Sequence, residues 1–430
     1  MKQTILFDAE RLIAKFSNTS GRSGIFFVAY NVIQHLYQTQ KFNIYLYFKN
    51  ADLYVNYYYD FINDDIYKNF KIYNQYKNEN LNDIVDLTIK KNKLTKQKKE
   101  SKGIKKIIIS LWRHFIKKKL KVKTKIRDNA FTDIDIFFSP MYAIPDFINN
   151  YPSIQKCIIL HDTIPMIFPE YFFSKDNISN HWCTKLYNSL DKNTYCFCVS
   201  QSCKNDFLKY FGSRLDEKKM FVMPIATAQD FYPDKNEEKL KKVLDKYNVS
   251  KNQRGKYIFS LSNLEPRKGL LFTIKCFMEF IKENNIDDLY FYLGGKAWGE
   301  FQKILHTDID IAGKDKVVRL GYVDDEDVNT LYSNSLFFTY ISLYEGFGMP
   351  PLEAMSCGTP VLTSNTSSLP EVVGDAAIMI DPTDKKACID AMKNLYFNEN
   401  LRNELSKKGL EQAKKFSWDK TVDIIVKNLK

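Results

Sequence analysis

Two carboxylates, Glu345 and Glu353, stand with seven residues between them in the run Ser342-Leu343-Tyr344-Glu345-Gly346-Phe347-Gly348-Met349-Pro350-Pro351-Leu352-Glu353-Ala354-Met355, which leads on to Gly358-Thr359-Pro360-Val361. The run begins where an apolar, strand-like stretch ends. Gly346 and Gly348 let the backbone come close to a ligand, and Pro350 or Pro351 suits the first turn of a helix running to Met355. A strand, a glycine turn and a helix N-terminus together make an anion site, because the first amides of a helix have no partner inside it. One carboxylate in the loop and one on the helix can then read different parts of a single ligand. A bare pair of glutamates at this spacing is otherwise a glycine turn and a surface acid.

The neighbouring residues decide between these readings. The stretch from Glu345 to Val361 resembles the motif of glycosyltransferase family 4 nearly residue for residue. The resemblance continues through Ser364-Asn365-Thr366-Ser367-Ser368-Leu369-Pro370-Glu371-Val372-Val373-Gly374-Asp375-Ala376-Ala377 and to Phe416-Ser417-Trp418, covering the C-terminal half closely and the N-terminal half in patches. It implies the two-domain GT-B fold and a retaining enzyme that moves a hexose from a nucleotide-sugar donor to an acceptor. By the same resemblance Glu345 touches the transferred sugar near its anomeric carbon. The turn at Gly346 and the amides of Phe347, Gly348 and Met349 bind sugar hydroxyls and phosphate, and Glu353 holds the ribose hydroxyls. Two routes stay open: Glu345 as a nucleophile, or attack by the acceptor from the same face as the leaving group.

A second constellation, Leu261-Ser262-Asn263-Leu264-Glu265-Pro266-Arg267-Lys268-Gly269, follows a strand and opens a helix toward Phe280. A departing nucleoside diphosphate gains negative charge. Arg267 and Lys268 at a helix start supply the opposite charge in a water-poor cleft, where losing one such donor costs about 3 kcal/mol of transition-state stabilisation. An exposed Arg-Lys pair is ordinarily solvated surface, but here it looks like the family's phosphate clamp. The chain departs from many members at Ser262, where they carry an Arg, and Arg267 is expected to take over that duty. The E-P-R-K form is similar to a branch rich in mannosyl- and rhamnosyltransferases of surface polysaccharides. That favours GDP-mannose as donor, with UDP- and dTDP-sugars as alternatives.

In the N-terminal half, Ser20-Gly21-Arg22-Ser23-Gly24-Ile25 follows the first strand and precedes a helix from Phe26 to Tyr37. It is not a G-x-G-x-x-G fingerprint, which disfavours a dinucleotide cofactor. By the resemblance Gly24 approaches the donor phosphates from the opposite side of the cleft; an ordinary turn is the other reading. His161-Asp162 ends the apolar strand Cys157 to Leu160, which would put His161 in the cleft. With Ile164-Pro165 and Phe168-Pro169-Glu170-Tyr171-Phe172 it resembles the family's loop facing the second domain, so His161 is expected to position the acceptor hydroxyl or contact the sugar. Asp133-Ile134-Asp135 and Asp308-Ile309-Asp310 spell D-x-D, a metal pattern in other glycosyltransferases. A metal-binding pair should close a strand, whereas Asp133 and Asp135 begin one, and Arg267 with Lys268 already brings positive charge. Neither a metal nor a cofactor is expected.

These residues need elements to hold them. Apolar runs at Ile5-Phe7, Ile44-Phe48, Ile134-Phe138, Cys157-Leu160, Tyr195-Val199 and Met220-Met223 alternate with helical patterns. So do the later runs at Tyr257-Leu261, Tyr290-Leu293, Val317-Gly321, Ser335-Ile341, Pro360-Thr363 and Ala377-Ile380. Such alternation predicts an α/β protein of two Rossmann-like, doubly wound units with a cleft between them. The boundary falls within Ala226 to Gly255, beyond Phe231-Tyr232-Pro233. Residues 1–230 are expected to bind the acceptor and 231–415 the nucleotide sugar, with 416–430 a helix crossing back to the first unit.

At 430 residues, 44% hydrophobic and 27% charged, the chain can fill two cores and is not disordered throughout. Its eight cysteines lie mostly in apolar runs, which reads as buried reduced thiols; Cys196 and Cys198 lack a matching pair for zinc. The charge is concentrated. From Lys90 to Arg127 there are 17 Lys/Arg against Glu100 alone, a surplus of 16 in a chain of net charge +12, so the remainder is −4. Within this segment Ile107, Ile108, Leu111, Trp112, Phe115, Ile116 and Leu120 recur near a helical period. A basic amphipathic helix of this kind suits an anionic membrane surface, and a solvated helix face is the bland alternative. No nucleic-acid module surrounds it, so nucleic acid is not expected as a partner. The start is too short in apolar residues for a signal peptide and no stretch spans a bilayer. The expectation is a cytoplasmic protein, peripheral at the inner face of the membrane, acting on a saccharide or lipid-linked saccharide. A nucleotide-sugar epimerase of the same architecture and a non-catalytic partner with a decayed site are the rivals. Leu369-Pro370-Glu371 counts against the first, and the intact Glu345, Glu353, Arg267 and Lys268 against the second.

Overall fold

The computed structural model describes residues 2–16, 24–48, 58–76, 81–123, 129–172, 181–227, 231–295 and 314–429. Two parallel sheets organise them. The first contains β1 (Gln3–Asp8), β2 (Phe42–Tyr47), β3 (Lys71–Ile72), β4 (Ile136–Ser139), β5 (Gln155–Leu160), β6 (Thr194–Cys198) and β7 (Met220–Val222), in the order β3-β2-β1-β4-β5-β6-β7. The second contains β8 (Lys256–Leu261), β9 (Leu289–Gly294), β10 (Val317–Gly321), β11 (Phe338–Tyr340), β12 (Val361–Ser364) and β13 (Ala377–Ile380), in the order β10-β9-β8-β11-β12-β13. Strands such as β4 and β12 are buried along their whole length, as expected when helices cover both faces of a parallel sheet. Each apolar run singled out in the sequence overlaps one of these strands. The exception is β3, a two-residue edge strand held by pairing with Tyr45 and Leu46 rather than by an apolar run of its own.

Helices follow the strands: α1 (Gly24–Gln38), α2 (Leu81–Glu100), α3 (Gly103–Lys123) and α4 (Gln201–Phe211) with the first sheet. The second sheet is accompanied by α5 (Glu237–Lys246), α6 (Leu270–Glu283), α7 (Asp325–Asn334), α8 (Met349–Ser356), α9 (Leu369–Val373), α10 (Lys385–Phe397) and α11 (Glu399–Ala413). Asn236 starts α5 by accepting the Lys239 amide at 2.9 Å. At the end of α5, Lys246 meets Asp324, Glu326 and Asp327 at the head of α7. The last helix, α12 (Trp418–Asn428), packs on α1 of the first unit. There the Trp418 indole N–H donates to the Thr227 carbonyl at 2.9 Å, and the Thr421 hydroxyl donates to that of Pro224 at 2.6 Å. All eight cysteines are buried and free.

The basic segment folds as a hairpin of α2 and α3. Ile84 of α2 packs with Ile116 and Leu120 of α3, and the Arg113 guanidinium donates to Thr95 across the pair at 3.0 Å. This divides the apolar face read from the sequence. Ile116 and Leu120 are buried inside the hairpin, whereas Ile107, Ile108, Leu111, Trp112 and Phe115, joined by Ile104, form an exposed stripe on the adjacent side of α3. Among the described residues no helix is long and apolar enough to cross a membrane.

Candidate active site

In an open parallel sheet, ligands bind beyond the carboxyl ends of the strands where the strand order reverses. In the second sheet that point lies between β8 and β11, and the two constellations of the sequence emerge from those two strands. The chain leaving β8 forms a 3-10 turn, Pro266–Lys268, which ends at Gly269 with φ 60°. A side chain at Gly269 would collide with the Ile341 carbonyl beyond β11, so only glycine lets the two strand exits lie this close. Arg267 and Lys268 therefore precede α6 in a turn of their own, rather than occupying its first turn as the sequence suggested. The turn is stitched to the neighbouring loop: the Leu343 amide donates to the Arg267 carbonyl at 2.8 Å, and the Arg267 guanidinium donates to the Tyr344 carbonyl.

This stitching brings three charges together. Glu345 Oε1 lies 3.0 Å from Arg267 Nη1 and 2.6 Å from Lys268 Nζ, and all three side chains are at most a tenth exposed. Arg267 Nη2 also meets Glu265 at 2.5 Å, while Lys268 Nζ donates to the Tyr340 hydroxyl at 2.6 Å. Burial alone would raise the Glu345 carboxyl, but Arg267 and Lys268 overcome it and hold the group at about 2. Burial, together with the adjacent Arg267, pulls Lys268 below the usual lysine range despite Glu345. Burial opposes the charge of Arg267, and Glu345 and Glu265 more than restore it. The guanidinium keeps one buried nitrogen, Nε, without a hydrogen-bond partner among the described residues. The Glu345 backbone is fixed from α9's side: its amide donates to Ser367 Oγ at 2.9 Å, and Ser368 Oγ donates to its carbonyl at 2.9 Å.

Beyond Glu345 the loop turns through Gly346 and Phe347 to Gly348, whose φ of 126° suits glycine, and enters α8 at Met349 with Pro350 and Pro351 in the first turn. Phe347 is buried, edge-on to Phe416 at 5.8 Å. Glu353 is one turn further along α8, some 6 Å by helix rise. It is buried and accepts the Tyr332 hydroxyl at 3.1 Å; burial pushes its carboxyl up to about 7 against that hydrogen bond.

The first unit reaches this loop at several points. A side chain at Gly346 would collide with the His161 carbonyl beyond β5, so the two backbones touch there. A methyl group on Gly24, at the start of α1, would stand 3.1 Å from the Met349 sulfur. His161 Nε2 lies 2.7 Å from the Pro140 carbonyl beyond β4. Burial lowers the imidazole to about 4 despite this bond, so the ring is neutral. A carbonyl only accepts, so Nε2 carries the proton and Nδ1 is left as an acceptor. Asp162 accepts the Ile164 amide at 3.0 Å; burial raises its carboxyl while nearby Arg267 lowers it.

Arg267, Lys268, Glu345 and the Gly346–Met349 turn thus meet His161 and Gly24 from the other unit, and Glu353 stands deeper along α8. Asp133 and Asp135 are occupied elsewhere, the first by the Tyr73 hydroxyl at 2.7 Å and the second by the Thr4 amide at 2.7 Å. Asp308 and Asp310 lie outside the described residues, as does the Ser20–Ser23 part of the first glycine loop. Among the described residues one acidic group, Asp324, Glu326 and Asp327, has metal-like spacing, and Lys246 already sits against all three. Sequence reasoning gave no role to Tyr340, Asp162 or Glu265. The first is signalled only by its place as the last residue of β11; Asp162 adjoins His161, and Glu265 stands two residues before Arg267.

A family model described as glycosyl transferases group 1 matches residues 241–412. The O-antigen chain mannosyltransferase B of Escherichia coli is 32% identical over 280 residues, which is 65% of this chain and 71% of that protein. The serotype-specific mannosyltransferase WbdA of Escherichia coli is 29% identical over 292 residues, 67% of this chain but 35% of that longer protein. Among solved structures, HepE of Anabaena in complex with UDP-glucose superposes with a TM-score of 0.64 over 99% of both chains at 16% identity, a likeness of fold. Two parallel Rossmann-like sheets, a switch-point cluster of Arg267, Lys268 and Glu345, and this kinship lead to one conclusion: the chain is a GT-B protein and belongs to the group 1 glycosyltransferases.

Proposed function

We propose that the protein is a retaining hexosyltransferase of surface polysaccharide synthesis, with GDP-mannose as the favoured donor and UDP- or dTDP-sugars as alternatives. The observation that carries this reading is the buried contact of Arg267 and Lys268 with Glu345 at the switch point of the second sheet. The second unit holds the donor and the first holds the acceptor. The names of the relatives, O-antigen and serotype-specific mannosyltransferases, support the choice of sugar and pathway class. HepE, the structural neighbour bound to UDP-glucose, supports a nucleotide sugar.

In the proposed reaction the bond between the anomeric carbon and the diphosphate oxygen breaks, and the oxygen gains charge beside Arg267 and Lys268. The acceptor hydroxyl forms the new bond on the same face, and its proton passes to the departing diphosphate. Glu345, ionised at every working pH, is a weak proton acceptor and offsets positive charge on the sugar carbon. The amides of Phe347, Gly348 and Met349, with the turn at Gly346, bind sugar hydroxyl and phosphate, and Gly24 approaches the phosphates from across the cleft. Glu353 takes the ribose hydroxyls, and His161 Nδ1 accepts from a sugar or acceptor hydroxyl. Two cations in place of a metal make activity in EDTA the expectation; strict Mg²⁺ dependence would overturn that part. A thermal-shift panel of GDP, UDP and dTDP tests the donor, since the true nucleotide raises the melting temperature by binding only the folded protein. GDP is expected to give the largest rise, and an α-linked donor an α-linked product by NMR.

The exposed stripe of α3 extends this reading to a lipid-linked acceptor. Trp112 and Phe115 suit the interface of an anionic membrane, with each nearby lysine contributing about 1 kcal/mol. Flotation with anionic but not neutral vesicles is the expected outcome; equal recovery with both, or none with either, removes the membrane from the proposal.

A further inference from the structure

The loop that carries Glu345 is held by one helix of the opposite unit. Ser200, at the head of α4 and 1% exposed, accepts the Cys203 amide at 3.0 Å and donates its own hydroxyl to the Gly346 carbonyl at 2.7 Å. Farther along α4, Asp206 accepts the Tyr344 hydroxyl. The residues on both sides of Glu345 are thus bonded to α4. The amides of Gln201 and Ser202, which have no partner within their helix, donate to Glu371 Oε2 and Oε1, each at 2.7 Å. Glu371 belongs to α9, directly after Ser367 and Ser368, which hold the amide and carbonyl of Glu345. A carboxylate against a helix N-terminus gains from both charge-assisted hydrogen bonds and the helix dipole.

We infer that Glu371 is a positioning residue: its carboxylate latches the second unit onto the N-terminus of α4, so that approach of the two units and placement of Glu345 are one event. The inference rests on the catalytic place given to Glu345. The cluster of Arg267, Lys268 and Glu345 fixes charge within the second unit, whereas Glu371 fixes that cluster against the residues of the first. Its carboxylate bonds to Gln201 and Ser202 and not to Arg267 or Lys268, so the second unit's own contacts with the nucleotide do not depend on it.

The contact can be cut from either side. Glu371→Ala removes the acceptor, and Gln201→Pro removes one donor at the first helical position, where proline is well tolerated and the extended Ser200 before it is compatible. Gln201→Ala, which keeps the amide, is the control. On the full chain we expect Glu371→Ala to lower kcat about fivefold, the effect of a helix-terminus charge. The thermal shift given by GDP should be unchanged, and the radius of gyration by small-angle scattering should increase. Gln201→Pro should act in the same direction, the double variant should be no worse than Glu371→Ala, and Gln201→Ala should match the parent. Unchanged scattering and kcat in both single variants, or fully additive losses in the double, would overturn the latch. Scattering reads the latch without turnover, so an inactive preparation with a normal latch would instead count against the assigned reaction.

Discussion

In the cleft, Arg267, Lys268 and Glu345 are nearly sealed from water and touch one another, whereas on α3 the lysines lie open beside an equally open row of Ile107, Leu111, Trp112 and Phe115. The same residue types obey different physics in the two places. Buried charges have only one another, so removing one leaves its partner uncompensated in a medium that cannot solvate it. Exposed lysines each keep their water, and a single loss costs little; what is unusual there is the apolar row. In the proposed reading the first region governs whether the reaction runs, and the second where the protein sits.

The contrast predicts its own hierarchy of effects. Lys268→Ala should lower kcat by about a hundredfold or more, the effect of losing one fixed charge at a developing anion, and should abolish slow donor hydrolysis. Glu345→Gln should do the same and also cost about 3 kcal/mol of stability in urea titrations, because buried Lys268 loses its carboxylate partner and Arg267 keeps only Glu265. A wild-type rate in either variant would break the comparison at its strong end. Replacing Trp112 and Phe115 together by Glu should abolish recovery with anionic vesicles while leaving the nucleotide-induced melting shift intact; a parallel loss of both would merge the two regions into one.

The smallest effect concerns Glu353. Its folded value, about 7, lies above the ordinary 4.5, so the folded protein holds a proton that the unfolded chain has released. Stability therefore falls as pH rises between those values, and Glu353→Gln, which has no such proton, should gain melting temperature relative to wild type from pH 5 to pH 7. Nucleotide affinity, read by calorimetry, should rise through pH 7 in the wild type and stay flat in the variant, since the ionised carboxylate is the better acceptor for ribose hydroxyls. A flat wild-type profile would remove Glu353 from the ribose site.

Much of this was legible before any coordinates because short-range rules set it. Runs such as Tyr257-Leu261 are apolar because both faces of a parallel strand are covered, and Gly348 and Pro350 mark a turn and a helix start whatever surrounds them. The 3-10 turn at Pro266–Lys268 was harder: E-P-R-K-G reads equally as a helix opening, and only the close approach of Ile341 to Gly269 shows why the chain pauses there. The α2–α3 hairpin was half visible. Its charge was plain, but which apolar residues face inward depends on the partner helix, where Ile84, Leu87 and Leu94 of α2 receive Ile116 and Leu120 of α3. The bonds from Ser200, Asp206 and Glu371 were not readable at all, since each joins residues well over a hundred positions apart.

The chain passes between the two units in two places, once after β7 and once between α11 and α12. Trp418 bonded to Thr227 and Thr421 bonded to Pro224 tie those passages side by side. Paired struts of this kind permit swinging about the line that joins them and resist twisting about any other axis. In the proposed reaction, jaws hinged in this way would part along one path and return along the same one, bringing Gly24 and His161 back to the same facing residues each time.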